Sequence, residues 1–168
     1  KLAKKLIQAA KSSGFDAVKF QTYTTEKLVH KSTKLANYQS KTNYKSQFDM
    51  LKKYSLTKEE FIKLKTFCDK IKIIFLSTPF DLESAKFLDK KLNIPIFKIS
   101  SADLNNYQIL KYVKSSRKPV IISTGMSTDK MLTKAIRFLN YPKKDIVILH
   151  CVSEYPTNIK DTYLGNLN

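Results

Sequence analysis

Glycine is nearly missing from this chain, with three in 168 residues. Neither GxGxxG nor GxxxxGK[ST] occurs, so the commonest glycine-built phosphate loops are excluded. Tryptophan is absent. Arginine stands only at Arg117 and Arg137, although Lys plus Arg total 31. Base-edge readout and bidentate phosphate grip lean on arginine, which argues against a nucleic-acid reader. Cys68 and Cys151 are far apart and make neither a CxxC pair nor a disulfide framework, so a reducing, cytoplasmic setting is expected. No apolar run approaches the roughly 18 residues of a membrane span. With His30 and His150 as the only histidines, the visible chain cannot assemble a histidine-rich metal site on its own.

What the sequence does have is lysine and short apolar runs. Only 14 Asp plus Glu balance the cations, leaving a formal net charge of +17. Such a field draws phosphates, carboxylates and other anions, although lysine can also simply fill solvated helix faces. At 42% AVILMFWYC the composition is that of a globular domain. Five runs punctuate the chain: Asp16–Gln21, Ile73–Pro79, Ile96–Ser101, Pro119–Gly125 and Ile146–Cys151. They are rich in β-branched and aromatic residues, and continuous apolarity suits strands covered on both faces.

Helix signals lie between them. Thr57 and Glu60 form a capping box, followed by Phe61, Leu64, Cys68 and Ile71 at helical spacing. Asp81 can cap Leu82–Lys91, which would bury Ala85, Leu88 and Leu92. Leu110 and Val113 mark a helix ending near Ser115-Ser116. Ser127, Thr128 and Asp129 precede one that would bury Leu132, Ile136 and Leu139. An opening helix with Leu2, Leu6 and Ala9–Ala10 can end at Gly14. The exception is Thr22–Leu56, too long for an ordinary loop. Its aromatics (Tyr23, Tyr38, Tyr44, Phe48) and a helical stretch at Gln47–Lys53 predict a partly ordered lid or interface arm.

A helix followed by five strand–helix repeats predicts parallel α/β architecture. A doubly wound sheet gives the same rhythm, but it concentrates chemistry at one switch point. Here every run ends in polar or glycine residues, which favours a (β/α)8 TIM barrel. A complete barrel usually takes about 250 residues, so residues 1–168 are read as one partial, open barrel domain of five parallel strands. Such a sheet should expose two raw edges.

In a barrel the run ends converge on one mouth. Lys19 and Lys98 sit inside apolar runs, where an unpaired charge is costly. Each can snorkel or pair with a carboxylate, but two at equivalent positions point to an anionic ligand. Thr78, Ser101 and Ser123 add neutral donors beside them. His150 ends the last run as either a core histidine or a mouth residue. If it faces the mouth, Cys151 faces the helix layer, because side chains alternate.

VKFQTY, FLSTPFDLESAKFL, IPIFKISSADLNNYQILKYV, KPVIISTGMST and ILHCVSEYPT, in this order, resemble the N-acetylneuraminate (sialic acid) synthase family, with its legionaminic and pseudaminic acid relatives. The resemblance implies a TIM barrel whose first strand, last strands and C-terminal antifreeze-like domain lie outside these residues, and a homodimer for the complete parent. It implies condensation of phosphoenolpyruvate with an N-acylated hexosamine to a nine-carbon 2-keto acid plus phosphate. It assigns Lys19, Thr78, Lys98, Ser101 and Ser123 to phosphoenolpyruvate, makes Lys19, Lys98 and His150 the catalytic set, and makes His150 one of two metal-binding histidines. The implied metal is divalent, Mn2+ or Mg2+. The insertion resembles sialic and legionaminic more than pseudaminic acid synthases. One departure is Ala102, where the family typically has glycine. If that glycine is needed for positive φ or close ligand approach, Ala102 would weaken phosphate binding. Rival readings are another phosphoenolpyruvate-dependent keto-acid synthase, a non-catalytic basic polyanion-binding domain, and an inactive truncated product. Neither nucleic acid nor membrane is an expected partner.

Overall fold

The computed structural model describes residues 1–39 and 42–167. The punctuation in the sequence becomes real caps. Helix α1 (Leu2–Ser12) ends as the N–H of Gly14, at φ +81°, reaches the Lys11 carbonyl. Strand β1 (Ala17–Thr22) leads into the long insertion, which holds α2 (Thr25–Leu28), a short 3-10 turn at Asn37–Gln39, and α3 (Gln47–Tyr54). Helix α4 (Lys58–Lys70) opens with both halves of the Thr57/Glu60 capping box formed. After β2 (Ile74–Pro79), Asp81 caps α5 (Leu82–Lys86), which runs on as one π-helical turn over Phe87–Lys91. Strand β3 (Phe97–Ile99), α6 (Tyr107–Ser116), β4 (Val120–Ser123), α7 (Asp129–Leu139) and β5 (Ile146–Leu149) complete the order. Thr128 is the cap of α7, its hydroxyl accepting from the Met131 N–H.

All five strands are parallel and follow chain order, as an open barrel requires. They form two hydrogen-bonded groups, β1-β2 and β3-β4-β5, rather than one continuous sheet. β2 and β3 lie side by side without a ladder. β3 is three residues long and follows Pro95, which has no N–H to donate. The strands are also shorter than the apolar runs. Ser100-Ser101, Thr124-Gly125 and His150-Cys151 lie beyond the ladders, in the turns at the strand ends.

The core fills the space between the outer sheet face and the helices. Phe75, Phe97, Ile99, Val120 and Ile122 meet Ile7, Phe61, Cys68, Leu88, Leu110 and Leu139, all nearly free of solvent. Each such large side chain contributes about 1.5–3 kcal/mol on burial. Phe75 stacks on Phe20 at 5.5 Å and meets Phe61 edge-on at 6.4 Å, tying β1, β2 and α4 together. The π-helical turn points Asp89 inward, where it accepts from Tyr112 Oη at 2.9 Å and pairs with Lys118 Nζ at 2.8 Å. The last strand is open: Val147 and Ile148 stay 51% and 47% exposed. Among the described residues no helix is long and apolar enough to cross a membrane.

The insertion lies across the strand ends. Tyr23 Oη donates to the Leu51 carbonyl at 2.9 Å, and its ring packs edge-on against Phe80. Glu26 pairs with Lys52, and the Gln47 N–H donates to the Thr33 carbonyl at 3.0 Å. Farther out, Tyr38 packs against Tyr155 of the turn after β5, with ring centroids 5.7 Å apart.

Candidate functional site

Parallel pairing sets the parity of every strand. Lys19 is registered with Leu76, and Gln21 with Thr78. Lys98 is registered with Ile121, which is registered with Val147, and Ser123 with Leu149. Paired residues in adjacent strands point to one side of the sheet, so these rows share the face opposite the helices. The outcome is a cavity of about 610 Å3 that Lys19, Thr78, Lys98, Ser101 and Ser123 line together. All five residues that the resemblance assigns to phosphoenolpyruvate therefore meet in one place. Ala36, Tyr38 and Gln47 of the insertion close one wall.

Lys98 is the most constrained of them. It is only 7% exposed, and its Nζ donates to Ser123 Oγ at 2.6 Å and to the Ile99 carbonyl at 2.7 Å. Burial, aided by the nearby charge of Lys19, lowers its pKa to about 8. Lys19 faces the open side and is exposed as a residue, yet the protein around its amine still draws its pKa below the ordinary lysine value. None of the ion pairs among the described residues includes either lysine. Elsewhere lysines find acids, as Lys27 finds Glu83 and Lys65 finds Asp69. Two neighbouring ammonium groups, flanked by hydroxyls and with no carboxylate partner among the described residues, have the donor set to receive a compact anion.

Ala102 does not carry the strain that its replacement of glycine raised. Its φ is not positive, and its N–H donates to Ser100 Oγ at 3.2 Å within an ordinary 3-10 turn. The glycine that does matter is Gly125. A Cβ there would lie 2.5 Å from Ser153 Oγ and 3.1 Å from Ser101 Oγ, so the turns after β3, β4 and β5 converge on its bare Cα.

The expectation that His150 looks into the Lys98 cavity is corrected. Leu149 and Cys151 line that cavity, whereas His150 lines a neighbouring hollow of about 890 Å3 with Thr124, Asp129 and Asp161. The alternation that would send Cys151 to the helix layer therefore runs the other way. The physical reason is parity: Val147 and Leu149 belong to the rows of Lys98 and Ser123, and Cys151 continues them. His150 Nε2 donates to the Thr162 carbonyl at 2.6 Å, tying the turn after β5 to the chain beyond it. Among the described residues no group of three or more His, Cys, Asp or Glu side chains is placed to hold a metal. One imidazole with a nitrogen already engaged does not fit a resident metal without ligands from elsewhere.

Two further residues of this region were not singled out by sequence reasoning. Gln21 lines the cavity two positions along β1 from Lys19, a spacing that could have flagged it. Asp103, two residues past Ser101, is buried with Oδ2 unpartnered among the described residues, while Oδ1 accepts from Asn106 Nδ2 at 3.0 Å. Burial pushes its pKa above the usual carboxylate value.

With this geometry in place, comparison with known proteins decides the lineage. Residues 6–168 match the NeuB family. The chain belongs to that family. Among NeuB-like relatives it is 39% identical, over 168 residues, to the N,N'-diacetyllegionaminic acid synthase of Campylobacter jejuni, with 97% of this chain and 50% of that one covered. It is 42% identical over 165 residues to an uncharacterized protein of Methanocaldococcus jannaschii, covering 98% of this chain and 45% of that protein. In three dimensions it resembles the N-acetylneuraminic acid (sialic acid) synthetase from Leptospira borgpetersenii in complex with citrate. The TM-score is 0.82 at 31% identity, with 98% of this chain and 53% of that chain covered. The NeuB-family chain thus spans about half the length of the relatives it matches.

Proposed function

We propose that the protein condenses phosphoenolpyruvate with the open-chain aldehyde of an N-acylated hexosamine, giving a nine-carbon 2-keto sugar acid and phosphate. The observation that carries this is the pair of acid-free lysines, Lys19 and Lys98, gathered with three hydroxyls in the cavity of a NeuB-family barrel. Lys19 and Lys98 hold the phosphate and carboxylate as charge-assisted donors, and Thr78, Ser101 and Ser123 complete the grip. Fixed there, the enol has its C3 presented to the aldehyde carbon. As the C3–C bond forms, the aldehyde oxygen takes a proton, and water adds to the cationic C2 with loss of one proton, which balances the one taken. Loss of phosphate from that tetrahedral carbon, with a proton leaving its hydroxyl, yields the ketone. Holding the reactants in place and stabilising charge supply much of the rate.

The finer points belong to the same proposal. The sugar is N-acetylmannosamine or its 2,4-diacetamido-6-deoxy relative, and similarity to a legionaminic acid synthase supports the second. The complete protein is proposed to be a cytoplasmic homodimer that uses Mn2+ or Mg2+. His150 supplies no metal shell by itself, and no step above runs through the cation. The test is a phosphate-release assay on the complete protein with phosphoenolpyruvate and each sugar. Lys19→Ala and Lys98→Ala should each lower kcat/KM for phosphoenolpyruvate by roughly 10²-fold, with a smaller effect on the sugar KM. Phosphoenolpyruvate left unconsumed with both sugars, or wild-type kinetics in both variants, overturns the proposal.

A further inference from the structure

The proposed reaction uses Lys98 only as a charged donor, yet its surroundings also suit a different task. A lysine becomes a carbonyl nucleophile when burial and a neighbouring cation favour its neutral amine and no carboxylate holds the proton. Lys98 meets each condition. It is 7% exposed, its Nζ donates among the described residues to the Ser123 hydroxyl and the Ile99 carbonyl, and Lys19 shares its cavity. Its pKa of about 8 leaves a substantial neutral fraction in mildly alkaline solution. Surface lysines such as Lys27 and Lys65, by contrast, are paired with acids.

We propose that Lys98 is a latent imine-forming residue that condenses reversibly with a 2-oxo acid bound in the anion cavity. This rests on the reading of that cavity as a receptor for a phosphoenolpyruvate-like carboxylate. Lys19 and the Thr78 and Ser101 hydroxyls hold the 2-oxo acid's carboxylate. The Lys98 lone pair attacks C2, and the carbonyl π electrons move to oxygen, which takes a proton. The amine gives up its two protons, the oxygen leaves as water, and a C=N bond replaces C=O. Ser123 Oγ, at 2.6 Å, is placed to relay a proton between the amine and the departing oxygen. No oxidant or reductant enters the reversible step. In the cell it would make 2-oxo acids, including the proposed product in its keto form, slow-onset inhibitors that tether to Lys98.

The test is trapping. The complete protein is incubated with pyruvate and sodium borohydride, whose hydride reduces the imine to a stable secondary amine, and the adduct is mapped by peptide mass spectrometry. One reduced pyruvate on Lys98 is expected, its yield rising as the pH is raised from about 7 to about 9 and falling when phosphoenolpyruvate is added. Lys98→Arg, which keeps the charge, should carry no adduct at this position or elsewhere above background. No adduct on wild-type Lys98, or labelling spread equally over exposed lysines, overturns the inference. Should the Arg variant fail to fold, the wild-type peptide map decides alone. Condensation assays run in parallel separate the two claims. Phosphoenolpyruvate turnover without a Lys98 adduct sinks the imine only. A Lys98 adduct without turnover sinks the proposed reaction and leaves the imine standing.

Discussion

Replacing Lys98 by Met should stabilise the fold at neutral pH while destroying the anion site. Burial and the Lys19 charge bring the Lys98 pKa from 10.5 to about 8. At 1.36 kcal/mol per pH unit, folding with a charged Lys98 costs about 3 kcal/mol. The sign follows from proton binding. Below pH 8 the amine is protonated in both folded and unfolded chains, so the full cost is present. Between pH 8 and 10.5 the unfolded chain binds more protons than the folded one, and stability rises with pH. Above that window the cost is gone.

Met removes the charge but also the donors to Ser123 Oγ and the Ile99 carbonyl, each worth about 1 kcal/mol. The Met variant should therefore be more stable than wild type by about 1 kcal/mol at pH 7, worth roughly 2–4 °C in Tm for a chain of this size. Near pH 10.5 the order should invert, because the lost hydrogen bonds remain while the charge cost has vanished. Thermal melts of both proteins across that range, with phosphoenolpyruvate binding by calorimetry at pH 7, measure the trade. A Met variant less stable than wild type at pH 7, or a gap independent of pH, refutes the electrostatic account of this cavity.

Other substitutions probe the surrounding parts. Gly125→Ala should cost about 1–3 kcal/mol and raise the KM for phosphoenolpyruvate, since the new methyl displaces Ser153 and Ser101. Unchanged melting and kinetics would show that the three turns give way freely. Asp89→Ala should destabilise by about 1–3 kcal/mol, because Tyr112 Oη loses its acceptor and Lys118, which keeps Asn93 Oδ1, loses its carboxylate. Burial opposes ionisation of Asp89, but hydrogen bonds from Lys118, Tyr112 and Lys90 outweigh it and hold its carboxyl below the usual range. That contribution is present above the ordinary carboxylate pKa and lost on acidification, which melts at falling pH will read. His150→Ala should loosen the turn after β5, and the same variant tests whether the imidazole joins a Mn2+ shell completed by ligands from elsewhere in the complete protein. A tenfold or larger loss in a metal titration would return the imidazole to a metal shell.

Much of this was legible because the signals are local or combinatorial. Thr57 with Glu60, Asp81, Thr128 and Gly14 each act within a few residues, so their caps can be read from sequence. The gathering of Lys19, Thr78, Lys98, Ser101 and Ser123 was also legible, since a parallel barrel brings every strand end to one mouth. The break between β2 and β3 was not, because apolar runs mark strands without saying which pairs are hydrogen-bonded. Nor was the π-helical turn at Phe87–Lys91, which satisfies Asp89 through Tyr112 and Lys118, more than 20 residues away. Gly125 carries no local sign of its role, for what crowds its Cα comes from two other turns.

The misplacement of His150 shows where apolar patterning runs out. A half-buried strand alternates, and one polar position fixes the parity of the rest. β5 reads Ile146-Val147-Ile148-Leu149, with no polar residue to say which pair faces the cavity. Only the neighbouring strand resolves it. Lys98 fixes the inner face of β3, Ile121 shares its row in β4, and Val147 shares that row in β5. Counting on by twos gives Leu149 and then Cys151, which leaves His150 outside. The same count has a chemical consequence. The group that continues the row of Lys98 and Ser123 is a free thiol rather than an imidazole, so among the described residues proton transfer in this cavity falls to amines and hydroxyls rather than to a histidine. The proposed reaction and the imine chemistry of Lys98 must both run on those groups, and the pH window set by Lys98 is the one that each should report.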